Sequence, residues 1–303
     1  MLRASRLLLT FLLGMGSASV PPSGPLLASS DGKAGAGEKS AQHATLRPVA
    51  ATAPDLPFEP FDSAAERQLL QLANRARAQA GAPPLALEEG LSQAARVHAE
   101  AMVEAQQLSH QFDGEPSLVQ RLATATHLQL DQEGENVALD SDPEQAQRHL
   151  MLSPHHRANL LNPAYNVVGL GVVRSADRLY VVQDFGHALP SYSAAQMKDR
   201  IAATVAQERH QAKQPGLARH DLPTSDDAAC SMAQADKLGT SPIQQLAQRY
   251  TVLTFTSLNP ETLPAGADGV IARRNLRSFS VGACYARTDT YPTGVYWVVV
   301  ALD

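Results

Sequence analysis

Gly134-Glu135-Asn136-Val137-Ala138 is followed by Ser153-Pro154-His155-His156-Arg157-Ala158-Asn159-Leu160-Leu161-Asn162-Pro163 and by Leu179-Tyr180-Val181-Val182-Gln183-Asp184-Phe185. Ser109-His110 stands just upstream. This stretch gathers imidazole and carboxylate groups into one compact segment. Neutral imidazole nitrogen and carboxylate oxygen suit Zn²⁺ and similar borderline cations. The reading is that His110, Glu135 and His156 converge in a cleft able to hold a divalent cation, Zn²⁺ or another. Two His and one Glu with an open fourth position form the ligand set of a hydrolytic zinc site. The three lie 25 and 21 residues apart, and no His-Glu-x-x-His helix fixes two of them on one face. On spacing alone a structural His–Glu hydrogen-bonded network explains them equally well. Ser109 and Ser153 lack a Gly-x-Ser-x-Gly elbow and read as a turn residue and a helix cap.

The surrounding composition is that of a globular protein. Of 303 residues, 44% are hydrophobic and 18% charged, enough for one large or two small domains. A net charge of -5 provides no basic field for nucleic acid. At the N-terminus, Arg3 and Arg6 precede the apolar run from Leu7 to Leu13, and small residues follow to Ser19. This is the pattern of a secretory signal peptide over 1–19. The expected location is therefore extracytoplasmic: periplasmic, wall-associated or extracellular. The apolar run is too short to span a bilayer, and no later stretch qualifies, so no transmembrane segment is expected after signal removal. Residues 20–60, rich in Pro, Ala, Gly and Ser without apolar periodicity, read as a disordered linker. Two cysteines are too few for a disulfide scaffold and lack zinc-ribbon spacing. Export lets Cys230 and Cys284 pair as a disulfide; two buried thiols are the alternative.

Ordered structure begins near Ser63. Ser63-Ala64-Ala65-Glu66 has the form of a capping box, with Leu69, Leu70, Leu72, Ala73 and Ala76 at helical spacing up to Gly81. A second helix over 88–107 aligns Leu91, Ala94, Ala95, His98, Ala101, Met102 and Ala105 on one face. His98 and Met102 read as core. His110 follows at a helix end, where an imidazole can face a cleft. Asp142-Pro143 and Ser153-Pro154 each start a helix with Pro at its first position, which places His155 and His156 in a first turn. A hairpin follows over 167–185, with Gly169 and Gly171 marking close approach or a bulge. His149 reads as solvated helix surface.

Residues 191–226 read as a helical connector with little apolar face, and 227–303 as a smaller C-terminal α+β unit. That unit echoes the first. Val281-Gly282 and Arg287 match Val168-Gly169 and Arg174 at one offset, and Ala228-Ala229 with Ala233 match Ala94-Ala95 with Ala99 at another. Tyr296 is matched to Tyr180. A degenerate repeat and generic patterning both explain this. Either way the second unit lacks a Gly-Glu-Asn segment and any histidine after His220.

Taken together, Leu91-x-x-Ala94-Ala95-x-x-His98-Ala99-x-x-Met102, Ser109-His110, the Gly134-Glu135-Asn136 and Ser153-to-Tyr165 segments and Tyr180-to-Phe185 resemble the bacterial branch of the CAP superfamily. That superfamily comprises cysteine-rich secretory, antigen five and pathogenesis-related (SCP-like) proteins. The resemblance covers about 61–190. It implies an α/β fold, a three-layer α-β-α sandwich around a small antiparallel sheet. It also implies a surface cleft where His110, Glu135 and His156 meet, rimmed by His155, Gln183 and Asn136. In the family that cleft carries two acids. No second acid matches here, Glu144 being the nearest, which lowers charge and weakens cation affinity. His155 stands where the family has Gly, and Leu150 where it has Trp.

The function this implies is a secreted CAP-domain protein, a monomeric extracellular binding module. Its ligand would be a small apolar molecule, a lipid or an envelope or wall component. The alternative is a metal-dependent, peptidase-like hydrolase using the same cleft. No separate general base is visible, so a conventional enzyme is the weaker reading. A purely structural envelope protein is a third.

Overall fold

The computed structural model describes residues 8–10 and 61–303; the signal peptide and linker expected over 1–60 otherwise lie outside the described residues. The chain runs β1 (Leu8–Thr10), α1 (Ser63–Ala80), β2 (Ala86–Leu87), α2 (Glu89–Ala105), α3 (Leu118–Ala125), β3 (Leu130–Asp140), α4 (Pro143–Leu152), α5 (Pro154–Leu161), β4 (Val167–Ser175) and β5 (Arg178–Ala188). Strands β2 to β5 form one sheet in the order β2-β4-β5-β3. The main strands are antiparallel, and the two-residue β2 adds a parallel step at the start of β4.

Strand alternation sorts the side chains onto two faces. Val137, Val173, Tyr180 and Val182 pack with Ala95, Ala99 and Met102 of α2. Ala138, Val172, Val181 and Phe185 pack on the other face with Leu69 of α1, Leu150 of α4 and Leu160 of α5. The result is the expected three-layer sandwich. Helix α2 lies directly on β4 because glycine permits it: a Cβ on Gly171 would stand 2.3 Å from the Ala95 carbonyl carbon. The α1 cap differs from expectation. Asp62, not Ser63, accepts the Ala65 N–H at 3.0 Å. Glu66 does not reach back to the cap. It is buried, and the Arg96 guanidinium bonds both its oxygens, at 2.9 and 2.7 Å. A buried carboxylate is better served by a guanidinium than by one amide.

The second half comprises α6 (Ala194–Gln211), β6 (Ala218–Arg219), α7 (Pro223–Ala235), α8 (Ser241–Ala247), β7 (Thr251–Ser257), α9 (Ala267–Ile271), β8 (Ser278–Ala286) and β9 (Val295–Leu302). Its sheet runs β1-β7-β9-β8-β6. Apart from β1, which pairs parallel with β7, order and directions reproduce those of β3-β5-β4-β2. The echo in the sequence is a structural repeat.

Buried arginines show the correspondence in detail. Arg77 donates to the carbonyls of Pro83, Leu160, Asn162 and Tyr165. Arg209, in the same place on α6, donates to those of Pro215, Ile271 and Arg273. Gly282 stands for Gly169, since a Cβ there would meet Ser225 O at 2.0 Å. Helix α6 is therefore not a connector. Met197, Ile201, Ala202 and Val205 form an apolar stripe in the second core, against Phe255, Val298 and Val300. Alanines and charged residues around that stripe dilute its periodicity in the sequence. Register also corrects one match: Tyr296 corresponds to Val181, and Tyr180 to Val295. Cys230 and Cys284 form the expected disulfide, tying α7 to β8.

The halves are joined by the segment between β8 and β9. Arg287 donates to Thr126 O at 2.7 Å, Thr293 Oγ1 to Leu130 O at 2.8 Å, and Gln129 Nε2 to Gly294 O at 3.2 Å. If glycine contact sets helix–sheet spacing in both halves, Gly171→Ala and Gly282→Ala will each lower stability by about 3 kcal/mol. Urea unfolding of the two variants checks this; wild-type midpoints would contradict it.

Candidate functional site

β3 is the edge strand of the first sheet, so groups from both helical layers can meet around its free side. His110 comes from the loop after α2 and donates through Nδ1 to Glu135 Oε1 at 2.8 Å. A carboxylate only accepts, so this bond places hydrogen on Nδ1 and leaves the Nε2 lone pair outward. His156 comes from the first turn of α5, and its ring centre lies 6.3 Å from that of His110. The three residues expected to converge do so.

Two asparagines hold α5 in place. Asn136 Nδ2 donates to the His156 carbonyl at 3.1 Å. Asn159 Nδ2 donates to Glu135 O at 3.1 Å and Asn136 Oδ1 at 3.0 Å. Glu135 faces the α2 layer while Asn136 faces α5, as strand alternation requires. The Gly-Glu-Asn segment thereby aims one side chain at each histidine's element. Asn136 and Gln183 are fully buried, with Asn136 Nδ2 also bonding Gln183 Oε1 at 3.2 Å. They support the cleft from within and do not form its rim. His155 is exposed beside His156. His149 is on the helix surface, paired with Asp140 at 2.8 Å. Glu144 accepts from Gln68 on α1, at the exposed surface.

Below the imidazoles lies a buried ionic base. Glu135 Oε2 accepts from Arg121 Nη2 and stands 3.8 Å from His98 Nε2. His98 is fully buried, as expected of a core histidine, with Nδ1 2.6 Å from Glu115 Oε1 and Nε2 2.9 Å from Ser109 O. A backbone carbonyl only accepts, so the Ser109 bond places hydrogen on Nε2. Two carboxylates, Glu115 and Glu135, face the Arg121 guanidinium and the His98 ring.

Asp184 is the acid left over. It sits opposite Glu135 in the β3–β5 ladder, is completely buried, and neither of its oxygens meets a hydrogen-bond donor. Burial, followed by the charge of Glu135, pushes its carboxyl well above the ordinary 3.8, with Arg121 opposing. His156 moves the other way. Burial, then the neighbouring His110 and His155, hold its ring below the usual imidazole range.

Arg121, Glu115 and Asp184 escaped the sequence reading. Asp184 carried a signal: Gln183-Asp184 interrupts an otherwise apolar strand. Arg121 and Glu115 look like ordinary polar residues of a turn and a short helix. Among the described residues, no group of three or more His, Cys, Asp or Glu stands together as a metal cluster. Nor is any helix among them long and apolar enough to cross a membrane. In the second half the register puts Thr254, Phe255, Val298 and Val299 where Glu135, Asn136, Gln183 and Asp184 stand, so the site has no counterpart there.

An acid whose folded pKa is raised contributes its full stability below the unfolded value and loses it as pH rises. Asp184→Asn removes that loss. The variant's stability relative to wild type should grow above pH 3.8 at up to about 1.4 kcal/mol per pH unit, until the folded Asp184 itself ionises. Denaturant unfolding between pH 4 and 8 measures it; a pH-independent difference would contradict the neutral, buried acid.

Residues 70–185 match the family model described as CAP, Cysteine-rich secretory protein family. The uncharacterized protein YkwD of Bacillus subtilis is 33% identical over 121 residues, 37% of this chain and 44% of that protein. The uncharacterized membrane protein YlbC of the same organism is 33% identical over 132 residues, 43% and 37% respectively. The chain thus spans less than half the length of these curated relatives. Among solved structures, an extracellular protein containing a SCP domain from Bacillus anthracis aligns at 27% identity and TM-score 0.39, covering 45% of each chain.

Proposed function

Because residues 70–185 match the CAP family model, we propose that this chain is an exported binding module whose cleft captures its ligand through His110 and His156. The Arg3-to-Ser19 pattern and the Cys230–Cys284 disulfide support export, since disulfides persist in oxidising compartments. One observation supports binding over hydrolysis. Both Glu135 oxygens are already engaged, by His110 and by Arg121, and Asp184 is sealed from solvent. The carboxylates near the imidazoles are therefore poorly placed to activate a water.

A divalent cation fits this cleft as a weak, two-imidazole site. His110 presents Nε2, His156 is held neutral, and Glu135 orients His110 in the manner of a carboxylate behind a metal-bound histidine. Such an ion would supply a positive anchor for an anionic or carbonyl group of the ligand. Calorimetry with Zn²⁺ tests this part. Weak binding is expected in the wild type, none in His156→Ala, and about tenfold weaker binding in Glu135→Gln. Equal heats for wild type and His156→Ala would remove the cation from the account. Chelator-sensitive turnover of peptide or ester substrates would establish the hydrolase instead.

A further inference from the structure

Arg287 and its counterpart in the repeat have different partners. Arg174 Nη2 bonds Asp62 Oδ2 at 2.7 Å, on the cap of α1 in its own half. Arg287 reaches into the other half instead. It donates to the carbonyls of Ala123, Thr126 and Leu128, with Thr126 O at 2.7 Å and Leu128 O at 3.3 Å. Ala123 lies in the last turn of α3, and Thr126 is the residue that ends it.

A helix leaves the carbonyls of its last turn without intrahelical partners, and they carry the negative end of its dipole. A guanidinium presents several donors in a rigid fork and can meet more than one of them. Helix α3 is short, at 8 residues, has no basic residue in its own last turn, and buries only Arg121 and Leu122. So short a helix is not stable without outside contacts. Within the first half, Leu122 packs with Leu91 and Ala94, and the Thr126 hydroxyl donates to Glu88 Oε1 at 2.9 Å. The end of the helix is then closed by Arg287 of the second half.

Arg121 is what α3 brings to the cleft. Its Nη2 bonds Glu135 Oε2, while Glu135 Oε1 accepts from His110. Arg121 and Ala123 stand two residues apart on the same helix. The strand that carries Glu135 is touched from the same side, since Thr293 Oγ1 donates to Leu130 O, at the first residue of β3. But β3 is also paired with β5 from Leu130 to Asp140. Helix α3 has no such ladder, so it depends more on the second half than β3 does.

We propose that Arg287 is a positioning residue of the cleft. The second half, where the site has no counterpart, fixes the end of α3 so that Arg121 holds Glu135 and Glu135 orients His110. This deepens the reading of the cleft given above and rests on its Glu135–His110 bond, not on cation binding. Without the Arg287 fork the last turn of α3 frays, Arg121 loosens from Glu135, and His110 loses its fixed acceptor.

Two measurements on the full chain without metal test this: amide hydrogen exchange and imidazole ¹⁵N spectroscopy. In Arg287→Ala, exchange in residues 107–126 should quicken at least about tenfold while β4 and β9 keep their wild-type rates. The His110 ring signal should move and that of His149, bonded to Asp140, should not. Arg121→Met should move the His110 signal likewise, and adding Arg287→Ala to it should move it no further. If Arg287→Ala fails to fold, Arg287→Lys, which keeps the charge but not the fork, carries the test with the same expectations. An unmoved His110 signal, faster exchange spread evenly over both halves, or a further shift in the double variant would overturn the proposal. None of these readouts involves Zn²⁺, so a cleft that binds no cation leaves the proposal standing.

Discussion

The Glu135 carboxylate is the constraint on which the cleft depends. It is buried at the edge of a sheet, and its two oxygens are bonded by different elements: the loop bearing His110 and helix α3 bearing Arg121. A buried carboxylate without such partners would neutralise or disrupt the fold. The loop after α2 must therefore close over β3, and α3 must pack under it. Through the Asn159 bond to the Glu135 carbonyl, α5 is drawn to the same strand, and His156 with it. One residue thus holds three separate elements in register.

Charge balance explains why the base tolerates burial. Glu115 and Glu135 face Arg121 and His98, and Asp184 remains uncharged beside them. Burial and the charge of Glu135 keep this third acid neutral beside Arg121. The second half shows the same scaffold without that acid. Phe255, Val298 and Val299 occupy the corresponding strand positions, and Met232 stands where His98 does. That half instead holds the first through Arg287 and Thr293, which fix the residues on either side of the α3–β3 turn.

Much of this was legible in the sequence, for identifiable reasons. His110, Glu135 and His156 stand next to strong punctuation: a helix end, the glycine before Glu135, and a Ser-Pro helix start. Gly169 and Gly171 in a valine-rich strand correctly signalled close approach. The Asp62 cap was missed because Ser63 offered an equally good local pattern, and only the burial of Glu66 beside Arg96 decides between them. The core role of α6 was missed because four apolar residues among alanines and charges make a narrow stripe. Arg121 and Glu115 were invisible because their roles arise from contacts across 14 and 17 residues, with no local motif. Gln183 was misplaced because strand period alone does not say which face is buried.

The arrangement of hydrogens in this base can be observed directly. Imidazole ¹⁵N spectroscopy of the full chain, with residue-specific His substitutions for assignment, reads the protonation of each ring nitrogen. The structure requires hydrogen on Nδ1 and a bare Nε2 for His110 when its ring is neutral, and hydrogen on Nε2 of His98. A neutral His110 carrying its proton on Nε2 would show that Glu135 does not orient it, and the account of the cleft would fail.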